Sequence, residues 1–396
     1  FANYAKDLKK NWKLNVDAGV NVRNDKYTSQ GMTSTQQLVY GLLNHSNFIN
    51  HLATSEEGGD LNYKVESQTI GAYLQGGLSY NDYLFFTVGG REGWSSALEK
   101  ANRNILYPSM SVSYIPTSAI KALMDNKNIN YLKVRAGYAT SAEFPDPYST
   151  RSTLGINTKA FVNNAGTSIN TNAISNLLPN PDLKPSLLQE FEFGIEGKVL
   201  NNRGNFDLSI YNRKAKDQLL NRDLDPSTGF TSQRINAGNV TNKGVELSLG
   251  YTVIKNTDWR WQLDALYFRN RSMVSDIPDD LREIRTSGFT NLGTFAINGQ
   301  PLGVIKGTAY VRDANGNRVV GPDGNYILAN EISILGDPTP DYKMTGISTL
   351  SYKQFSFRVQ MEYTKGGDMY SATSSVLVGR GVTRDTEFDR ALGYIL

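Results

Sequence analysis

The two histidines, His45 and His51, are the first residues to consider for catalysis or metal binding. They are the only histidines in 396 residues, and the chain contains no cysteine. The acids nearby are Glu56, Glu57 and Asp60 in the same polar stretch, a set without the fixed geometry that a metal site requires. With two histidines and no cysteine, the chain has almost none of the residues that a Ser-His-Asp or Cys-His catalytic unit requires. We therefore expect solvated loop residues, no cofactor, no metal and no enzyme activity.

A second candidate site is the stretch rich in Asp, Asn and Gly between residues 313 and 325. The segments 313–317 and 322–325 resemble the oxygen-ligand spacing of a calcium loop. An EF-hand loop requires glycine at its sixth position, where this chain has Arg318, and the closing acid is displaced. Two type I′ turns that build a hairpin are the favoured interpretation, and a bound cation is the alternative.

The elements that would position such residues are long strands with one apolar and one polar face. Apolar and polar side chains alternate strictly along residues 14–22 and 355–363. A strand turns successive side chains to opposite faces. Runs of about 9–11 residues match the length that crosses a bilayer at the tilt of a barrel strand. The pattern predicts an all-β fold, a transmembrane antiparallel β-barrel, rather than a soluble sandwich.

Composition is compatible with such a barrel and argues against other classes. Hydrophobic residues make up 39%, and 22 Tyr and 16 Phe are available for interfacial girdles. A net charge of +3 without a basic, aromatic-interleaved run predicts no nucleic-acid partner. No linker divides residues 1–396, so one partial barrel is expected. The chain start lacks a signal peptide, so an N-terminal part is expected to be absent.

Strand predictions and connection lengths indicate the topology. About eleven strands are predicted, close to 14–22, 68–80, 83–91, 107–115, 131–139, 189–199, 205–215, 244–253, 259–269, 343–352 and 354–364. Short turns alternate with the long segments 24–67, 92–106, 140–188, 216–243 and 270–342. This alternation is typical of an outer-membrane barrel, with turns in the periplasm and loops outside. An odd count predicts a further strand after residue 396, and hence a chain cut at both ends.

Charged residues on the inward parity form the predicted functional surface. By alternation they are Arg91, Lys133, Arg135, Glu190, Glu192, Glu196, Glu246, Arg260, Asp264, Arg358 and Glu362. The alternative is an ordinary wet barrel wall. Near the external mouth, Arg91, Glu92 and Trp94 are the candidates for contact with a solute, and the mixed signs favour a neutral or zwitterionic one.

Six sequence blocks resemble the SusC-type TonB-dependent transporters. They occur in that family's order, at 83–93 with 102–112, 132–138, 180–190, 236–246, 335–342 and 365–370; examples are the "NPDLKP" of 180–185 and the "NAGNVTNKGVE" of 236–246. The resemblance implies a barrel of about 22 strands behind a plug domain, of which this chain would hold the middle half. Plug and terminal strands would be absent from it.

The same resemblance implies a function and partners. Such proteins import oligosaccharides or peptides through the outer membrane, with a SusD-type surface lipoprotein as lid and the TonB complex acting on the plug. A dimer of such units is a further possibility that the resemblance raises. A passive porin, or a barrel retained for structure or secretion, are the alternatives.

The long external segments suggest where a lid would dock. Loops of this size are usually functional, and the segment 270–342 carries Phe289, Leu292, Phe295 and Ile297 among polar residues. Apolar side chains in a polar surround suit burial under another protein. The alternative is that these loops fold over the mouth of their own barrel.

Overall fold

A single antiparallel sheet dominates the computed structural model, which describes residues 1–53, 61–124, 126–162 and 166–387. Its twelve strands pair in chain order. They are β1 (Ala2–Asp7), β2 (Trp12–Ser29), β3 (Tyr63–Tyr80), β4 (Leu84–Ser95), β5 (Asn104–Tyr114), β6 (Ile129–Glu143), β7 (Ser186–Val199), β8 (Gly204–Lys216), β9 (Asn239–Lys255), β10 (Trp259–Ser275), β11 (Pro340–Tyr352) and β12 (Phe355–Gly366). Glu56, Glu57, Asp60 and the end of the chain at 393–396 lie outside the described residues.

The prediction of eleven strands missed β1. This strand pairs with β2 along its whole length, with Tyr4 opposite Val16 and Lys6 opposite Leu14. Only six residues long and adjacent to a lysine-rich turn, it has too little alternation to be recognised locally. Its pairing with a strongly patterned neighbour decides its conformation, so the described residues contribute twelve strands to the main sheet.

Short turns at one end of the sheet set the register of the strands. Asn81 and Asp82 both have positive φ, 48° and 56°, as a type I′ turn requires. Leu200, Asn201 and Asn202 also have positive φ, in the turn before β8, and so does Lys353 (φ 49°), in the turn before β12. A one-residue slip would exchange the two faces of every strand. These turns therefore keep the polar and apolar faces separate across the sheet. We call this end of the sheet the turn end and the opposite one the loop end.

At the loop end the strands continue well past the length that crosses a bilayer. β2 and β3 have 18 residues each, and β9 and β10 have 17, against the roughly 9–11 that suffice. The long segments add small sheets, with strands Thr33–Gln37, Phe48–Leu52, Leu154–Val162, Ser168–Ile174, Leu177–Leu178, Leu219–Asp223, Ser232–Asn236, Glu283–Gly288, Gly293–Ile297, Val304–Tyr310 and Leu328–Gly336.

The helices are short and peripheral. The α-helices are Pro116–Ala119, Lys121–Met124 and Ala372–Gly379, and the 3₁₀ turns are His45–Asn47, Pro226–Thr228 and Arg384–Thr386. The first two α-helices lie between β5 and β6. None of the described helices has the length and apolar composition of a membrane-spanning helix.

The buried hydrophobic cluster lies at the loop end, where the long segments meet β9 and β10. It consists of Ala237, Val240, Val274, Ile277, Ile284 and Ala296, with Leu220, Ile235 and Leu281 packed around it. Val240 and Val274 are paired neighbours on β9 and β10. The external segments are therefore anchored on the sheet by a small core of their own.

Candidate functional site

One face of the sheet is polar across all the strands, which confirms the predicted parity. Arg135 lies opposite Gly194 and Lys133 opposite Glu196 across β6 and β7, and Ser209 of β8 lies opposite Glu246 of β9. The same registers place every charge that alternation predicted to face inward on this side, which we call the polar face. The other side, the apolar face, carries exposed Val, Leu, Met and Phe side chains.

Arg135 is the centre of an ion-pair network on the polar face. It donates from Nε to Glu192 Oε1 (3.3 Å), from Nη1 to Glu196 Oε2 (3.2 Å) and from Nη2 to Asp207 Oδ1 (3.0 Å). A further bond from Nη2 reaches Ser209 Oγ at 2.6 Å. Because these partners belong to β7 and β8 while Arg135 belongs to β6, one guanidinium joins three strands.

Glycine at position 194 makes room for this guanidinium. A Cβ at Gly194 would lie 2.6 Å from both Cζ and Nε of Arg135. The side chain of Arg135 therefore lies flat across the backbone of β7. Lys133 extends the network by donating to Glu196 Oε1 at 3.3 Å. The charges hold one another in place, so this part of the face is a pre-organised polar wall rather than a set of free acids and bases.

A second arginine–glutamate ion pair on the polar face lies nearer the loop end. Arg213 donates from Nε to Glu190 Oε2 at 2.6 Å, and its guanidinium carbon lies 5.6 Å from the ring centre of Tyr211. The ring of Tyr211 occupies the space that a side chain at Gly244 would need, and its hydroxyl donates to Asn270 Oδ1 at 3.3 Å. At both positions, the absence of a side chain on a glycine of the polar face leaves space for a large side chain from the adjacent strand.

A cavity of about 550 Å³ lies beside the network, between β8 and β12. Its charged lining consists of the carboxylates of Asp207, Glu246 and Glu362 and the cations of Arg135 and Lys343, and its apolar side is formed by Leu266 and Phe268. Arg135 is paired with Asp207. Glu246 forms no hydrogen bond or ion pair within the described part of the chain, whereas Glu362 lies 3.9 Å from Lys343 Nζ. The arrangement can accept a solute that carries both a cationic group and an apolar group.

Sequence reasoning missed the apolar side of this cavity. Leu266 and Phe268 share the polar face with Asp264, and each is 41% exposed. A signal was present, because the run 265–268 consists of Ala, Leu, Tyr and Phe and breaks the alternation of β10. Because successive side chains of a strand face opposite sides, an unbroken apolar run places apolar side chains on the polar face as well.

The three predicted solute contacts do not form one surface. Arg91 lies on the polar face opposite Tyr73, and its Nε is buried without a hydrogen-bond partner. Glu92 and Trp94 lie on the apolar face, opposite Ala72 and Ile70. Glu92 accepts a hydrogen bond from Asn104 Nδ2 at 2.6 Å. Odd and even residues of one strand face opposite sides, so the three side chains do not share one surface. Their contact with a solute stays a prediction.

The predicted docking residues also separate by burial. Phe289 is 72% exposed, but Phe295 is only 3% exposed and lies 5.1 Å from the ammonium of Lys306. Leu292 and Ile297 are half-buried. Phe295 therefore cannot be presented to a partner, because it belongs to the interior of the loop-end sheet. Of the four, Phe289 keeps a surface that another protein could cover.

The segment 313–325 forms the predicted hairpins, but with a different turn. Backbone bridges join Arg312 to Arg318 and Val320 to Tyr326. In each turn the positive φ belongs to the glycine, 85° and 79°, so these are not type I′ turns. Backbone amides donate to the carboxylate of Asp313, that of Asn317 foremost, and hold its pKa below the usual range. The carboxylate of Asp313 therefore stabilises the turn. The described residues contain no cluster of three or more His, Asp or Glu suited to a metal.

The two histidines converge on a hydroxyl. Ser34 Oγ lies 2.7 Å from His45 Nδ1 and 2.9 Å from His51 Nδ1. The two histidines are exposed and Ser34 is half-buried, in the small hairpin that Thr33–Gln37 and Phe48–Leu52 form. The prediction that they neither catalyse nor bind metal stays a prediction.

Comparisons with known proteins agree with this geometry. A family model described as "TonB dependent receptor-like, beta-barrel" matches residues 2–394. TonB-dependent receptors P26 and P3 of Formosa agariphila are 27% and 26% identical over 387 and 348 residues, covering 88% and 82% of this chain. The chain spans only 38% and 34% of those two relatives.

Solved structures show the same fold. The RagAB peptide importer in its "closed-closed" state superposes with a TM-score of 0.72 at 19% identity, over 92% of this chain and 40% of that one. A second structure of the RagAB peptide transporter gives 0.72 at 18% identity, over 91% and 40%. Since the family model covers nearly the whole chain, the chain belongs to the TonB-dependent receptor-like β-barrel family of the bacterial outer membrane.

Proposed function

We propose that this chain provides the wall and outer loops of an active outer-membrane importer of oligopeptides. In the whole protein, the TonB complex would drive transport through a plug, and a SusD-like lipoprotein would close the loop end. The observation that carries the proposal is the cavity on the polar face, where Glu246, a carboxylate with no hydrogen bond or ion pair in the described part of the chain, lines the same space as Leu266 and Phe268. An oligopeptide offers ammonium and apolar groups to such a wall, whereas a neutral glycan, the alternative substrate, has no charge for Glu246. The fold shared with RagAB, itself a peptide importer, supports this choice.

Uptake by intact cells that express the full-length protein tests the proposal. A fluorescent oligopeptide with lysine and leucine side chains should enter, and collapse of the inner-membrane proton gradient should stop its entry. Glu246→Gln should lower uptake at limiting concentration by about tenfold, because one charge-assisted hydrogen bond contributes on the order of 1.5–3 kcal/mol. Glu66→Gln, which removes a carboxylate at the exposed loop end of β3, is the matched control and should leave uptake unchanged.

Three outcomes would contradict the proposal. Entry that persists without the proton gradient would identify a passive porin. No entry of any peptide or glycan would identify a barrel for structure or secretion. Uptake of a neutral oligosaccharide that is equally sensitive to the gradient, with peptide excluded, would overturn the substrate class and keep active import.

Docking of a lid is tested by substitution of Phe289, because Phe289 is exposed whereas Phe295 of the same segment is buried. Phe289→Asp should reduce co-purification of the lipoprotein and lower uptake without loss of folded barrel. Asn315→Asp adds the same charge at an exposed turn of the same segment and should do neither. Equal retention of the lipoprotein in both variants would argue against docking at this surface. A dimer of barrel–lid units stays a prediction.

A further inference from the structure

A cavity of about 860 Å³ lies on the apolar face, where β3 and β4 reach the loop end. Its wall includes Ile70 and Trp94, which pair with each other across the two strands. Residues between Ser95 and Arg103 and between Tyr148 and Arg151 complete it. Because Ile70 and Trp94 face away from the polar face, this cavity opens toward the membrane side of the sheet and not toward the solute pathway.

The depth of the cavity matches the outer headgroup layer. Trp94 lies ten residues along β4 from Leu84, and Ile70 lies ten residues along β3 from Tyr80. At about 2.5 Å per residue along the membrane normal, for a strand tilted by about 40°, ten residues span roughly 25 Å, the height of the apolar band of a barrel. Tryptophan at that height on the lipid side is typical of an interfacial girdle.

The cavity carries an excess of positive charge. Lys100, Arg103 and Arg151 face a single carboxylate, that of Glu99. Arg151 binds Glu99 with both ends of its fork, Nε to Oε1 at 2.7 Å and Nη2 to Oε2 at 2.8 Å. Lys100 and Arg103 are exposed and form no ion pair within the part of the chain that the structure describes. Two cations at the lipid interface are therefore left without a protein anion.

The walls are built before any ligand arrives. Ala97 and Leu98 are each 6% exposed and anchor the loop that carries Lys100. The amide of Ser96 donates to the Gln68 carbonyl at 2.9 Å, and Asn102 Nδ2 donates to the Asp182 carbonyl at 3.2 Å. The Glu99–Arg151 pair joins this loop to the next one. Such fixed geometry lowers the entropy that binding must overcome.

We propose that this cavity binds the phosphorylated headgroup of an outer-leaflet glycolipid. Lys100 and Arg103 would contact the phosphate, and Trp94 and Ile70 the sugar and the first acyl carbons. Basic pockets at the membrane interface recognise anionic headgroups in this way, and an arginine fork matches phosphate geometry. Phosphate esters of lipids are the anions present at this depth on the lipid-facing side. The inference depends on the membrane orientation of the barrel and not on which solute is imported.

Lipid retention by the full-length protein tests the proposal. The protein is purified in mild detergent, exchanged into phosphatidylethanolamine nanodiscs with a small fraction of diphosphoryl lipid A, and its bound lipid is measured by native mass spectrometry. Wild type should retain lipid A, and the K100Q/R103Q variant should bind it at least tenfold more weakly. The K9Q/K10Q variant removes the same charge at the turn end and should behave as wild type.

Two further arms separate the sources of phosphate and guard against misfolding. Millimolar inorganic phosphate should not displace lipid A, and lipid A stripped of phosphate should not bind; displacement by phosphate would identify an ion site and overturn the lipid assignment. In the otherwise native protein, lipid A should change the fluorescence of Trp94, and W94F should lose that change. Equal lipid A binding by wild type and K100Q/R103Q, or no fluorescence response in wild type, would refute the proposal, as would a protein rather than a lipid retained at this cavity.

Discussion

Val359 and Gln360 are adjacent in β12 but face different media, and this contrast makes the sharpest test of the fold. Val359 pairs with Ser348 on the apolar face, and Gln360 pairs with Ile347 on the polar face. Phe357 and Met361, on either side of Val359 along the same face, are 68% and 73% exposed. A row of apolar side chains on one face of a strand whose other face is polar indicates lipid on the apolar side.

The expected loss of stability follows from the depth of Val359 in the membrane. Val359 lies four residues after Phe355, the first residue of β12. At about 2.5 Å per residue this places it roughly 10 Å above the turn end, near the middle of an apolar band about 25 Å tall. An arginine on the lipid face at mid-bilayer destabilises a barrel by about 2–4 kcal/mol. We therefore expect V359R to lose about 2–4 kcal/mol and Q360R, beside Arg358 and Glu362, to change stability by less than about 1 kcal/mol.

Reversible guanidinium unfolding of the full-length protein in phospholipid vesicles measures both variants. The difference between their free energies of unfolding is the informative quantity, since both add the same side chain to the same strand. Losses that agree within about 0.5 kcal/mol would refute the assignment of faces. A larger loss for Q360R would reverse it.

Three other predictions address topology, pH and packing. Cysteine introduced at Ser227 should react with an impermeant thiol reagent on intact cells, and cysteine at Asn202 only after the outer membrane is opened; labelling of Asn202 from outside would invert the barrel. Hydrogen bonds, chiefly from an arginine, lower the pKa of Glu99 from its ordinary 4.5 to about 2, so its contribution to loop stability is complete above pH 4.5 and is lost as pH falls toward about 2. Hydrogen exchange of the loop should rise over that window in wild type and stay flat in E99Q; an identical profile in both would exclude Glu99 as the cause. G194A should destabilise the barrel by about 1–3 kcal/mol by displacing the guanidinium that crosses it, whereas G346A, with open space around its Cβ, should not; equal effects of both would mean that the clash is not the cause.

The sequence by itself determined the features that depend on local chemistry. Alternation along each strand decides which side chains share a face, because the period of a strand is two. Turn residues such as Asn81 and Asp82 adopt positive φ readily and so predict the short connections and the register. Eleven of the twelve strands of the described sheet and its polar face were accessible from these signals alone. The family was accessible from the six sequence blocks that resemble it.

Tertiary structure decided what depends on contacts between distant segments. β1 exists because β2 offers it a partner, and Phe295 is buried because its hairpin joins a four-stranded loop-end sheet. The local sequence pattern does not show such pairings, because burial and strand pairing depend on contacts with residues far along the chain. Two further features could not be predicted for the same reason. Arg135 lies over Gly194, and the loops close the cavity around Trp94. Both arrangements bring together strands or loops that are far apart in the sequence.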